Sequence, residues 1–202
     1  MWNVGDSLTL GIYISEGGAP APIEWIVCQV DGSKIKLISK NCIFKHPYKE
    51  PRWKDSSLRY WLNSEAYESI FSDAEKKSIL ETITVDNIAM QFEIERDFED
   101  GKTWKYYDGL ISVDSIMSRD RITIPSFSDL FEAGTSNYSG AYFSWKNEAL
   151  NSCSDEFYLL DQYFEWPSSS SYYHPQIRFG DVPKYFSSAG VRICVWVDSS
   201  KL

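Results

Sequence analysis

Four cysteines and two histidines are the side chains of this 202-residue chain best suited to nucleophilic or metal chemistry. Cys28, Cys42, Cys153 and Cys194 contain no Cys-x-x-Cys pair, and only His46 and His174 are there to complete a ligand set, so no zinc site is expected. Cys28 and Cys194 each sit in an apolar strand pattern, where a buried free thiol is the ordinary reading. Cys153 with His174 would make a nucleophile and base, but nothing in the sequence orients the imidazole. A buried thiol beside a loop histidine is the better account.

The carboxylates are more numerous. Glu93, Glu95, Asp97 and Glu99 alternate along the chain. Two such groups can serve as acid and base in glycoside hydrolysis, but an exposed charged strand explains the alternation better. Asn151, Asp155, Glu156 and Asp161 offer oxygens for calcium, yet no Glu-Pro-Asn or Gln-Pro-Asp motif organises them. There is no Gly-rich phosphate loop. No catalytic residue, metal or other cofactor is therefore assigned.

That leaves binding. Tyr138, Tyr142, Phe143, Trp145, Tyr163, Trp166, Tyr172 and Tyr173 are interleaved with Ser and Asn. Adaptable binding surfaces use this mixture, because rings supply area at low entropy cost and small polar groups supply hydrogen bonds. Half or more of these rings would be core; Tyr138, Tyr142, Tyr172 and Tyr173 are expected to be the most exposed. The net charge is −9, unevenly spread: residues 64–120 carry 14 acidic and 6 basic groups, net −8, while residues 1–63 carry 6 acidic and 8 basic, net +2. With no basic stripe, direct nucleic-acid binding is not expected. An acidic middle either keeps the surface solvated or steers a basic protein partner. The partner-binding residues expected on these grounds are Glu93, Glu95, Asp97, Glu99, Asp100, Tyr138, Tyr142, Trp145, Tyr172 and Tyr173.

The elements that would position them follow from periodicity. Residues 6–14 alternate as a strand, and the Gly and Pro of 17–22 predict a loop. Ile23 to Val30 and Lys34 to Ser39 predict a hairpin around Asp31-Gly32, with Ile23, Trp25, Val27 and Gln29 on one face. Asp55 is expected to cap a helix carrying Leu58, Trp61 and Leu62, followed by a second with Ala66, Tyr67, Ile70 and Phe71. Ser72-Asp73-Ala74-Glu75 is a capping box, predicted to open a third helix with Ile79 and Leu80 inward. Thr82 to Ile88 reads as a strand. Residues 86–109 read as an acidic insertion or arm, a hairpin turning near Asp100-Gly101. Arg121 to Pro125 reads as another strand. Ser126 should cap a helix with Phe127, Leu130 and Phe131 on one face, ended by Gly134. Residues 135–189 predict long loops. Gly190 to Asp198 is the strongest strand run, expected to pair with strands from the first forty residues and close one domain spanning 1–202.

Several segments together resemble a bacterial family, the domain of unknown function 6273. They are Gly5 to Gly11, Pro22 to Val27, Leu37-Ile38-Ser39-Lys40, Trp53-Lys54-Asp55-Ser56-Ser57-Leu58-Arg59-Tyr60-Trp61-Leu62-Asn63, Phe71 to Lys76, Asp120 to Ser126 and Gly190-Val191-Arg192. Residues 1–85 carry most of the likeness. The family resembles the C-type lectin-like fold, in which the termini pair, two helices pack on the sheet and long loops carry the ligand site. The resemblance thus implies an α+β domain with a mostly antiparallel sheet, short helices and long C-terminal loops. The formylglycine-generating enzymes share that fold, but their activity needs paired copper-binding cysteines in the late loops, where Cys153 stands alone. The chain departs from the family at Glu156 to Asp161, which lacks its Arg and Pro, and at Ile193, where the family has Pro.

The first residues lack the basic and apolar segments of a signal peptide, and no apolar run is long enough to span a membrane, so a cytoplasmic protein is expected. The functional expectation is a non-enzymatic protein-binding module. It would be an inhibitor or adaptor, phage- or mobile-element-borne, that blocks a basic partner surface. A carbohydrate or small-ligand binder is the alternative, and a hydrolase the third.

Overall fold

The computed structural model describes residues 1–14, 18–48, 53–97, 103–135, 141–147, 150, 157–160 and 190–202. Most of these belong to antiparallel strands, with a few short helices, an α+β arrangement. The main sheet has the order β1 (Ser7–Ile14), β2 (Pro20–Asp31), β3 (Lys34–Ser39), β12 (Cys194–Asp198), β5 (Ile79–Leu80). β8 (Ile122–Thr123) joins β5 on the free side of β12, so the two short strands share one long neighbour. The C-terminal strand is therefore internal: Cys194 pairs with Ile38 on one side and Thr123 on the other. It meets the first forty residues through β3, whereas β1 lies at the far edge with β2 and β3 between.

Strand alternation fills both faces of this sheet. Trp25, Val27, Ile35, Leu37, Val195 and Val197 point to one face and pack on Leu58, Leu62, Ala66, Ile70 and Phe71 of the helical segment. Ile26, Cys28, Ile38 and Cys194 point to the other, under Leu130, Leu150, Phe157 and Leu159. One expectation fails here for a clear reason. The β2–β3 register shifts between Val27 and Gln29, so Cys28 is an extra residue. Gln29 is thereby turned away from the Trp25 face and bonds Asp129 instead.

The hairpin forms as expected, but Asp31 pairs with Lys34, so the loop proper is Gly32-Ser33. Gly32 takes φ +60, the first central position of a hairpin turn that favours glycine. Pro20 and Pro22 do not make a loop; they pair with Ile14 and Ile12 in β2. β3 reaches only as far as Trp25 on the other side of β2, so this end of the strand needs no N–H at its prolines.

Asp55 does not cap the first helix. It lies in a 3-10 turn, Trp53–Asp55, and Ser56 is the cap, its Oγ accepting from Arg59 N at 3.1 Å. The two predicted helices form one run: α1 (Ser57–Trp61), a π-helical turn (Leu62–Ala66) and α2 (Tyr67–Ile70). The capping box is present, with Ser72 N and Oγ donating to Glu75 and Glu75 N donating to Ser72 Oγ. It closes only a 3-10 turn, Glu75–Lys77. Ile79 and Leu80 are taken into β5 instead, because the open edge of β12 offers them pairing partners. Ser126 likewise precedes a single turn, α3 (Phe127–Leu130), and Phe131 and Gly134 belong to β9 (Phe131–Thr135), paired with β10 (Ala141–Trp145).

The strand run at the C-terminus is broken. β11 (Gly190–Val191) pairs with β4 (Phe44–Lys45), then Arg192 and Ile193 leave the ladder before β12 begins. Arg192 is fully buried, its Nε donating to Ser39 O at 2.8 Å, its Nη1 to Leu150 O at 3.1 Å, and its guanidinium over the Phe157 ring. A charged side chain there satisfies carbonyls that a strand would otherwise have paired.

Candidate functional site

β6 (Thr82–Asp97) and β7 (Thr103–Asp120) form an antiparallel ribbon. Among the described residues neither strand pairs with any other. Sixteen residues of extended chain span about 50 Å. Residues 82–120 hold 9 acidic and 4 basic groups, net −5. The ribbon extends beyond the 86–109 arm expected from the sequence, because the residues on either side pair as well.

Its root is held by the helical segment. Asp120 is fully buried and accepts from Arg59 Nε at 2.6 Å, Trp53 Nε1 at 3.0 Å and Ser118 Oγ at 2.6 Å. Arg59 also donates through Nη1 to Lys54 O and through Nη2 to Arg119 O. Asn63, in the π-helical turn, stands in for a strand neighbour. Its Oδ1 accepts from Arg121 N and Ile122 N, and its Nδ2 donates to Ile122 O. A buried carboxylate with three donors is well satisfied.

The root has its polarity inverted. Thr84, Ser118 and Asp120 point inward and are buried. Ile83 and Met117 point outward at 58% and 60% exposure, with Val85 at 37%. The register places Val85 opposite Met117 and Ile83 opposite Arg119. A free sheet face ordinarily shows the reverse, polar out and apolar in.

The expected partner-binding residues fall around this ribbon only in part. Glu93, Glu95 and Asp97 occupy alternate positions of β6 opposite Tyr107, Lys105 and Thr103. Tyr142 and Trp145 lie on β10, opposite Gly134 and Phe131, on a strand where loops were expected. Glu99, Asp100, Tyr138, Tyr172 and Tyr173 lie outside the described residues, as do Cys153, His174, Asn151, Asp155, Glu156 and Asp161. Sequence reasoning passed over Ile83, Val85 and Met117. The sequence marked a strand at Ile83 and Val85 and left 111–118 ambiguous, and only the pairing and burial show that the apolar parity faces outward.

A second polar knot sits on the opposite face of the main sheet. Asp129 is fully buried; it accepts from Lys36 Nζ at 2.6 and 2.8 Å, Gln29 Nε2 at 2.9 Å, and Ser126 N and Oγ at 2.7 Å. Burial pushes the Lys36 ammonium down, but the Asp129 carboxylate overrides it and holds Lys36 above the ordinary lysine value. Burial, reinforced by Asp129, pushes the Cys28 and Cys194 thiols up, so neither is a thiolate nucleophile at neutral pH. His46 stacks on Trp61 at 4.8 Å and contributes to packing there. Among the described residues no group of three or more His, Cys, Asp or Glu side chains is placed to hold a metal. No helix among them is long and apolar enough to cross a membrane.

No curated protein and no solved structure matches the chain. A family match exists for part of it, a stretch that runs from the β2–β3 turn through the helical segment and into β7. It includes the segments Leu37 to Lys40, Trp53 to Asn63 and Phe71 to Lys76, and so the Arg59 end of the ribbon anchor. Residues 32–106 match the family described as Domain of unknown function (DUF6273), the family that the sequence resembles.

Proposed function

We propose that the chain is a non-enzymatic protein-binding module that uses its acidic ribbon and aromatic late segments to block a basic surface on a partner protein. The observation that carries this reading is the ribbon: two long strands, net −5, paired only with each other among the described residues and anchored through Asp120. A two-stranded ribbon by itself is marginal in water, so a partner that pairs with or covers it adds stability to both. Opposite charge would steer that partner and set its orientation. The role is that of an inhibitor or adaptor, in keeping with a phage- or mobile-element-borne protein acting in the cytoplasm. The lectin-like plan fits this role as a scaffold. The internal position of β12 and the packing of α1 and α2 on one sheet face support it, while the two intervening strands between β1 and β12 depart from directly paired termini.

The test is a pull-down from bacterial lysate at low and high salt, with the wild type and an E93Q/E95Q/D97N variant. A protein partner held at low salt, released at high salt and lost by the variant is expected. No partner, or recovery indifferent to salt and to the variant, would count against the proposal. Saturable binding to a glycan array instead would favour the carbohydrate reading.

A further inference from the structure

The inward Asp120 fixes the parity of the ribbon root, and the outward face it leaves is apolar. Ile83 and Val85 alternate along β6 and Val85 pairs directly with Met117, forming a strip, while Thr84, Ser118 and Asp120 take the buried face. The Asp120 anchor sets which parity lies inside, but it does not require the outside parity to be apolar. Ile and Val on the inner face would bury their methyl groups and gain hydrophobic stabilisation, whereas here they lose it to water. Clustered exposed apolar side chains on a strand pair mark a surface that becomes covered.

Two occupants fit an apolar strand face: a second copy of this chain, or another protein. Charge decides between them. A second copy would bring ribbons of net −5 together within a chain of net −9. Like charges at that spacing oppose association, whereas a basic segment gains from the same field. Apart from Arg119 beside Ile83, the distal ribbon that continues from the strip is dominated by acidic residues, with Glu93, Glu95 and Asp97 further along β6.

We infer that Ile83, Val85 and Met117 form the docking strip for a segment of a protein partner in which apolar residues alternate with Lys or Arg. This rests on the protein-binding reading and adds to it the location of the apolar contact and the pattern of the segment. The apolar residues seat on the strip, and the basic residues lie along the acidic distal ribbon. The strip supplies discrimination between basic segments, and the acidic residues supply the long-range attraction.

The probes are two fluorescein-labelled decapeptides, one alternating Lys and Leu, the other alternating Lys and Ser, titrated against the full chain by anisotropy. The wild type is expected to bind the Lys/Leu peptide about tenfold or more tightly than the Lys/Ser peptide. I83S/M117S is expected to bind both as weakly as the wild type binds Lys/Ser. Both side chains are solvent-facing, and circular dichroism and thermal melting establish that the variant is folded. Equal binding of the two peptides by the wild type, or unchanged discrimination in I83S/M117S, overturns the docking strip. If binding of both peptides nevertheless falls with salt and with E93Q/E95Q/D97N, the electrostatic reading survives that failure. Binding of neither peptide overturns the strip and counts against the protein-binding reading as well. Sedimentation showing a dimer that I83S/M117S converts to monomer would assign the strip to a second copy and overturn the choice of partner.

Discussion

Arg59 Nε donates to Asp120 Oδ1 across 2.6 Å, and this pair joins the first helix to the last residue of the ribbon's returning strand. The carboxylate is fully buried and the arginine side chain is 15% exposed, which reduces solvent screening of the pair. Trp53 and Ser118 complete the shell on the second carboxylate oxygen.

Removing the carboxylate should expose how much the joint carries. D120A leaves the Arg59 charge without its partner and frees the Trp53 N–H in the core. A loss of about 3–5 kcal/mol in urea denaturation is expected. D120N keeps an acceptor oxygen and should lose less. Amide exchange at Thr84 and Ser118 should speed up in D120A. Equal losses for the two variants would show that the charge itself contributes little.

The Lys36–Asp129 pair makes a second test, independent of the first. K36M and D129L each strand a buried partner, so each should cost about 3–5 kcal/mol. The double variant K36M/D129L should recover the part of that cost due to the unpaired charge, while Gln29 and Ser126 still lose their acceptor. A double variant whose cost equals the sum of the singles would mean that the two residues do not act as a pair.

Gly11 and Gly32 both take positive φ, +75 and +60, and differ in surroundings. A Cβ at Gly11 would lie 2.7 Å from Ile70 Cγ2 and 3.0 Å from the Phe71 ring, whereas at Gly32 it meets nothing within 4 Å. G32A should cost about 1–2 kcal/mol, the backbone term alone. G11A should cost more, because the sheet and α2 must separate and the Gly11 N to Glu75 hydrogen bond is disturbed. Matching melting temperatures for the two variants would remove the packing argument.

Acid should weaken the same corner. Burial pushes the Glu75 carboxyl up, but hydrogen bonds from Ser72 Oγ, Gly11 N and Ser72 N outweigh it and hold the group below its ordinary value. A depressed folded value means that the ionised form stabilises the fold. That contribution is complete above the unfolded carboxyl value of about 4.3 and is lost as pH falls through the folded value. E75Q should therefore be less stable than wild type at pH 7 and converge on it in acid. A constant gap between the two across that range would be inconsistent with this account.

Much of the local structure was legible in the sequence because it depends on neighbours. Alternation marked the β2–β3 hairpin, and Ser72 with Glu75 marked a capping box whose bonds are all present. Three-residue spacing found the apolar residues of the helical run. What the box would start was not legible. Ile79 and Leu80 have a choice between helix and strand, and the open edge of β12, more than a hundred residues later, decides it. Gln29 was assigned to the wrong face because one extra residue at Cys28 shifts the register, and no local signal marks that residue.

The candidate site shows the same division. Residue types alone determined that the chain is acidic, that its middle concentrates the charge, and that a strand runs through Thr82 to Ile88. Only the tertiary structure decided which side of that strand faces the core. Asp120 is drawn inward because Arg59 and Trp53, 61 and 67 residues away, can satisfy it there. Pairing then fixes the parity of both strands, and Ile83, Val85 and Met117 are left on the outside. A buried charge must be matched by its donors, and that requirement outweighs the burial of three apolar side chains.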